Sequence, residues 1–162
     1  MKLGKHITNT ELKPTKIPED FVLIIDTREG LPLFKDADLP VIHKALKHGD
    51  YSIRGFENTI TIERKKLSDF YSYISSEMSE KTVPKMKAMV DYSYVGLVIE
   101  ASESDVLSPQ LYTNVSPELA RSFLASWEVR YGFHVYYSRS RKDIERWILD
   151  RLTKFWKVIR EV

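Results

Sequence analysis

Residues 49–69 read Gly-Asp-Tyr-Ser-Ile-Arg-Gly-Phe-Glu-Asn-Thr-Ile-Thr-Ile-Glu-Arg-Lys-Lys-Leu-Ser-Asp, and three of these side chains suit one kind of chemistry. Asp50 and Glu63 offer hard carboxylate oxygens, and Lys65 a compact cation. Two acids beside a lysine suit a divalent cation next to a phosphodiester. The carboxylates supply the ligands, while the ammonium positions or deprotonates a water and neutralises developing charge. Taken singly, each residue also has a plain structural use: Gly-Asp is a common turn pair and Glu-Arg-Lys-Lys suits a solvated strand end. It is the combination that points to hydrolysis of a phosphate ester.

Those side chains need a scaffold that brings them together. The pattern predicts a short strand over Tyr51–Ile53, a tight turn over 55–58 and a second strand over 59–65. Alternation along the second strand puts Ile60, Ile62 and Arg64 on one face and Thr61, Glu63 and Lys65 on the other. The hairpin then returns Asp50 beside Glu63. An apolar run over 21–26 reads as a strand buried on both faces, with Asp26 emerging at its end. A third run, Tyr94–Glu100, is again tipped by an acid. Ligand sites in open α/β sheets gather at strand ends, so Glu100 is a candidate supporting group.

Gly49-Asp50 followed, after a gap, by Glu63-Arg64-Lys65, three residues and Asp69 resembles the motif of the XPF-type structure-specific endonucleases. The upstream run Val22-Leu-Ile-Ile-Asp26-Thr-Arg28-Glu29 resembles that family's apolar strand ending in Asp-x-Arg-Glu. The likeness extends over roughly residues 20–158. It implies an α/β fold with a mixed central sheet flanked by helices, the restriction-endonuclease-like fold of the PD-(D/E)xK class. It also implies a metal-dependent DNA endonuclease acting on branched or otherwise structured DNA, leaving a 5′-phosphate and a 3′-hydroxyl. Asp50, Glu63 and Asp26 are then the Mg²⁺ ligands, with Mn²⁺ able to substitute, and Lys65 completes the catalytic set. Arg28, Glu29, Arg64, Asp69 and Glu100 are supporting residues. Family nuclease domains pair through their helical side, so a homodimer is expected. Some family members are inactive DNA-binding scaffolds, but in those the acids are eroded, whereas here they are present. These 162 residues carry neither a helicase motif nor a tandem helix-hairpin-helix module, which removes one usual grip on branched DNA.

Residues 1–20 read as an extended arm bearing Lys2, Lys5, Lys13 and Lys16, and residues 21–162 as the nuclease-like domain. A strand is expected over 41–46, leading into Gly49, with a short helix the alternative. Ser68 is the expected N-cap of a helix reaching about Met78, with Phe70, Tyr73 and Ile74 inward. Asp69 falls in its first turn, where it orients Lys65 or Arg64 or favours the helix dipole. Residues 77–82 break the pattern before a second helix over 83–92, and 102–115 read as a polar loop. Ser116-Pro117-Glu118 begins a helix ending near Tyr131 at Gly132, and its stripe of Ala120, Phe123, Leu124, Trp127 and Tyr131 is core. A strand over Phe133–Tyr137 precedes a final helix capped by Ser140. Its broad apolar arc includes Trp147, Phe155 and Trp156, the expected dimer surface unless both tryptophans instead finish the core of the single chain.

Composition removes other classes. There are no cysteines, so disulfides and cysteine zinc sites are excluded. The formal charge of +2 means that DNA binding must rest on local clusters. His6, His43, His48 and His134 fit no two-histidine metal spacing. No glycine-rich phosphate loop appears, so no nucleotide cofactor is expected. No run has the length or composition of a signal peptide or membrane span, so a cytoplasmic protein, nucleoid-associated in a microbe or virus, is the default.

Overall fold

The computed structural model describes residues 13–161, with backbone only over 76–79. Lys2, Lys5 and His6 lie outside the described residues. Six strands form one mixed sheet in the order β2-β1-β3-β4-β5-β6. These are β1 (Leu23–Ile25), β2 (Val41–His43), β3 (Tyr51–Ile53), β4 (Ile60–Lys66), β5 (Tyr94–Glu100) and β6 (Phe133–Tyr137). β1 pairs parallel with β2 and antiparallel with β3, β3 runs antiparallel to β4, and β4, β5 and β6 are mutually parallel. The hairpin therefore reverses direction in mid-sheet and sets the start of β3 beside the far half of β4.

Helices cover both faces, as the near-continuous apolar runs of β1 and β5 require. On one face α5 (Arg141–Val158) lays Ile144, Trp147, Ile148 and Leu152 over Ile60, Ile62 and Val98. On the other, α1 (Leu67–Ile74), α2 (Ser76–Ala88) and α4 (Pro117–Tyr131) enclose Phe70, Met86, Met89, Leu97, Leu124 and Trp127. Each fully buried side chain of this size contributes about 1.5–3 kcal/mol of transfer free energy. Gly96 lets the first layer close, because a Cβ there would lie 3.0 Å from the Trp147 ring. Trp147, expected at a dimer surface, is instead part of this protomer's core at 5% exposure.

The helix expected to be capped by Ser68 begins earlier, with Lys66 in the capping position and no side-chain cap. β4 stays paired with β5 through Lys66, opposite Glu100, so no linker separates strand from helix. The polar run over 77–82 is helical rather than a break: the interruption is at Ser75, which is extended, and α2 carries Pro84 within it. Packing of Met86 and Met89, and the bond from Thr82 Oγ1 to the Tyr73 carbonyl at 2.9 Å, override the weak local pattern. The loop over 102–115 contains a short helix, α3 (Glu103–Val106), begun by a reciprocal Ser102–Asp105 capping box. β2 is shorter than expected because the chain turns off the sheet edge to send the Leu46 amide to Asp26. The arm is anchored where it is described: Thr15 Oγ1 donates to Asp150 and Ile17 packs on the α5-side core.

Candidate active site

The site begins with backbone. Gly49 has φ +81°, and a Cβ on it would fall 1.9 Å from Thr61 Oγ1. Only glycine fits both demands. Thr61 Oγ1 donates to the His48 carbonyl at 2.8 Å, closing the turn onto β4. Asp50 is then fixed by its own amide, which donates to the Ile62 carbonyl at 2.9 Å, and by its carbonyl, which accepts from the Asp26 amide at 2.8 Å. Its carboxylate oxygen Oδ2 accepts from the Arg64 amide at 2.7 Å.

Glu63 and Lys65 share the adjacent face of β4, as alternation requires, and form an ion pair at 3.0 Å. Lys65 Nζ also lies 4.2 Å from the centre of the Tyr73 ring on α1. Asp50, Glu63, Lys65 and Asp26 line one cleft of about 310 Å³. Burial, and next the Glu63 charge, push the Asp50 carboxyl up to about 8. Burial works against the Lys65 charge, but the attraction of Glu63 outweighs it and holds the ammonium above its usual range. Burial likewise opposes ionisation of Asp26, yet its bonds from Arg28 and Leu46 keep that carboxyl below the usual range.

Asp26 is fully engaged. Oδ1 accepts from the Leu46 amide at 2.7 Å and from Arg28 Nη2 at 3.2 Å, and Oδ2 accepts from Arg28 Nε at 2.9 Å and the Arg28 amide at 3.1 Å. Arg28 is thus a carboxylate partner, and its side chain remains 70% exposed.

Arg64 points to the opposite face of the sheet. Its guanidinium lies 3.3 Å from Glu29 and 3.4 Å from Glu100, and Glu29 also accepts from the buried Tyr51 hydroxyl at 2.6 Å. Glu29, Arg64 and Glu100 therefore form a buried charge cluster behind the cleft. Asp69 sits exposed in the first turn of α1 and pairs with neither Lys65 nor Arg64. That leaves it the helix-dipole role.

Four cleft residues are not singled out by the sequence pattern. Tyr73 packs inward on Trp127, with ring centres 6.3 Å apart, as expected, and its ring also meets Lys65. Lys47 and His48 precede Gly49 directly, and their adjacency to the motif is the available signal. Lys85 lines the cleft from α2 together with Met89, and that i, i+4 spacing marks one helix face. Burial, then the nearby charge of Lys47, lower the His48 imidazole, with Lys85 adding to the effect and Glu63 opposing it.

The ERCC4 domain family model matches residues 7–150. The chain belongs to that family, the family of XPF-type nuclease domains. No curated protein sequence matches it. Among solved structures, XPF from Aeropyrum pernix in complex with DNA is similar at TM-score 0.63 and 19% identity, over 85% of this chain and 65% of that one. A second structure of XPF from Aeropyrum pernix is similar at TM-score 0.63 and 18% identity, over 83% of this chain and 60% of that one. The chain thus spans less than two thirds of either. At this identity the likeness shows the fold, a mixed sheet between helical layers of the restriction-endonuclease-like kind.

ERCC4-family nucleases generally use divalent metals, and the cleft fits one. Asp50 Oδ1 accepts no hydrogen bond among the described residues, and desolvation, with the Glu63 charge beside it, disfavours the charged Asp50 carboxylate. A cation placed between them would relieve that repulsion. Among the described residues no cluster of three His, Cys, Asp or Glu is close enough to make a complete ligand set. Mg²⁺ does not need one, since it commonly takes one or two carboxylates, several waters and a substrate phosphate.

Proposed function

We propose that this ERCC4 domain is a Mg²⁺-dependent endodeoxyribonuclease, able to use Mn²⁺, that hydrolyses phosphodiesters in branched or otherwise structured DNA. The observation that carries this reading is the meeting of Asp50, Glu63 and Lys65 in one cleft, where desolvation and the neighbouring Glu63 charge push up the half-buried Asp50 carboxyl. That arrangement is unfavourable for the free protein and favourable for a cation. The DNA in the Aeropyrum pernix complex supports the choice of substrate.

Asp50 and Glu63 would hold the ion. When bound it would polarise the phosphate and acidify a water. Asp50 must first release its proton, and its bond from the Arg64 amide then aims the free oxygen into the cleft. Lys65, steadied by Glu63 and Tyr73, would hold the attacking water and stabilise the charge that develops on the phosphoryl oxygens. Asp26 would reach a cation only by giving up Arg28, so its first task is to fix the loop that carries Leu46. The Glu29–Arg64–Glu100 cluster supports the strand ends from behind. Cleavage would leave a 5′-phosphate and a 3′-hydroxyl. The same reading includes a homodimer through the C-terminal part of α5, where Val158 is 49% and Ile159 36% exposed.

The test is cleavage of matched duplex, flap, fork and four-way-junction DNAs with Mg²⁺. Cutting by the parent and its loss in Asp50→Ala and Glu63→Ala are expected. Binding without cutting, under every metal tried, would overturn the enzyme and leave a DNA-binding scaffold.

A further inference from the structure

The charges lining the cleft do not cancel. Asp26 is matched by Arg28 at 2.9 Å and Glu63 by Lys65 at 3.0 Å. Two lysines are left over. Lys47 reaches the cleft from the loop before Gly49, and Lys85 from α2 across it. Neither forms an ion pair among the described residues. The His48 imidazole, which also lines the cleft, packs edge-on against Tyr92 at 6.1 Å. A single unpaired surface lysine is ordinarily just solvated. Two exposed lysines that line one cleft from different elements, with Asp26 and Glu63 already paired, describe a receptor for an anion with more than one charge.

We propose that Lys47 and Lys85 form a two-sided phosphate clamp that grips the sugar–phosphate backbone of the DNA strand on either side of the bond to be cut. The clamp rests on the reading of this cleft as a DNA-cleaving site and assigns the flanking phosphates of its substrate. It divides the labour in the cleft. Lys65, held by Glu63 and Tyr73, is committed to the reacting phosphate. Lys47 and Lys85, on flexible stems with no partner to leave, are free to follow the backbone. Lys85 is placed for this by its turn of helix: Met89, four residues on, is buried against the core and fixes the face that α2 presents. Lys87, two residues from Lys85, projects from a different side of α2 and does not line the cleft.

Lysine–phosphate pairing shows in the salt dependence of binding. Removing one phosphate-binding cation lowers the slope of log affinity against log salt by about 0.9 on duplex and about 0.7 on single strands. The experiment is fluorescence anisotropy with a labelled flap DNA in metal-free buffer, across a salt series, for the parent, Lys47→Gln, Lys85→Gln, the double variant and Lys87→Gln. We expect each single cleft variant to lower the slope by about 0.7–0.9 and the double variant by about twice that, with Lys87→Gln parental. Mn²⁺ affinity without DNA should be the same in all five. A double variant with the parental slope, in a protein that still cuts DNA with Mg²⁺, overturns the clamp and leaves the nuclease reading standing. A parent that neither binds nor cuts DNA overturns both. Loss of Mn²⁺ affinity in the lysine variants would also overturn the clamp, by showing that the lysines shape the acidic site itself.

Discussion

The amide of Arg64 donates to Asp50 Oδ2 at 2.7 Å while its guanidinium, on the far face of the sheet, lies between Glu29 and Glu100. One residue thus joins the two sides of the site: its backbone aims the Asp50 carboxylate, and its side chain holds the strand ends that carry the other acids. The division follows from strand alternation, which turns the Arg64 side chain away from Glu63 and Lys65.

The Asp50 proton makes stability depend on pH. Folded, the group keeps its proton up to about 8; unfolded, it loses it near the ordinary carboxylate value of about 3.9. Between those values the folded chain binds the extra proton. Its contribution is therefore fully present below about pH 4 and is lost as pH rises through 8. Asp50→Asn, which cannot ionise, should melt higher than the parent at pH 8.5 without metal, by roughly 1–2 kcal/mol given the coupling to Glu63. Mn²⁺ should raise the parent's melting temperature more at pH 8 than at pH 6, because protons compete for the same oxygen. Calorimetric melting with and without Mn²⁺ checks both, and a variant that melts below the parent at pH 8.5 would show that the Asp50 charge is not a burden on the free fold.

Arg64→Gln should be the most damaging change behind the cleft. The Arg64 side chain is 6% exposed, and its loss leaves Glu29 with the Tyr51 hydroxyl and Glu100 with only the distant Arg141. Breaking a buried ion pair costs about 3–5 kcal/mol. The low end is expected here, since the separations are 3.3 and 3.4 Å and Glu100 has a second, looser neighbour in Arg141 at 3.9 Å. Arg64→Lys should recover little, because one ammonium does not span two carboxylates. Urea unfolding at pH 7 measures the effect. A loss below about 0.5 kcal/mol, as for exposed pairs, would mean that water screens the cluster.

Much of this arrangement is legible in the sequence. Tyr51–Ile53, Tyr94–Glu100 and Phe133–Tyr137 form as the apolar runs require, and alternation alone separates Arg64 from Glu63 and Lys65. The α4 boundaries follow from Ser116, Pro117 and Gly132, whose left-handed φ of +67° ends the helix. What escapes is set by partners distant in sequence. The break at Ser75 and the helix through 77–82 are decided by packing of Met86 and Met89 rather than by local pattern. Ser102-x-x-Asp105 is a readable capping box, hidden by the polarity around it. Tyr73, Lys47, His48 and Lys85 join the cleft only because α1, α2 and the Gly49 turn converge, and no spacing within one element announces that. Asp26 is visible as a strand-end acid, but not the bond that it accepts from the Leu46 amide, since Leu46 lies twenty residues away.

Lys65→Ala should lower the cleavage rate by about 10²–10⁴-fold, the range for losing one acid–base or electrostatic group, with Mn²⁺ affinity largely kept. Tyr73 should act through Lys65. An aromatic face under an ammonium contributes about 0.5–2 kcal/mol, which as lost positioning is roughly a 2- to 30-fold fall in kcat. Tyr73→Ala should show that fall with KM nearly unchanged, and Tyr73→Phe, which keeps the ring, should restore the parental rate. Single-turnover kinetics with Mg²⁺ separates the two variants. If Phe is as slow as Ala, the hydroxyl matters rather than the ring; if Ala is as fast as the parent, Glu63 alone positions Lys65.

The dimer prediction rests on the end of α5 rather than on its middle. Trp147 is buried within the protomer, and Trp156 is half-buried against the same core with Arg160 stacked 3.5 Å over its ring. Val158 and Ile159 are left outward at 49% and 36% exposure. Residues 139–162 carry eight Lys or Arg and four Asp or Glu, an excess of four positive charges. Pairing through this end would cover the apolar tip and set two basic surfaces side by side on one nucleic acid. Trp156→Glu is a poor probe, because the ring also packs on the core. Val158→Glu is better: the side chain is exposed, so the fold should tolerate it, while a charge placed in an apolar interface should disrupt pairing. Light scattering at micromolar concentration should give the parent about twice the 19.0 kDa chain mass and Val158→Glu the chain mass, with equal melting temperatures at submicromolar concentration. A parent that stays at 19.0 kDa, free and bound to DNA, removes the dimer. A Val158→Glu variant that stays at the doubled mass moves the interface to another face.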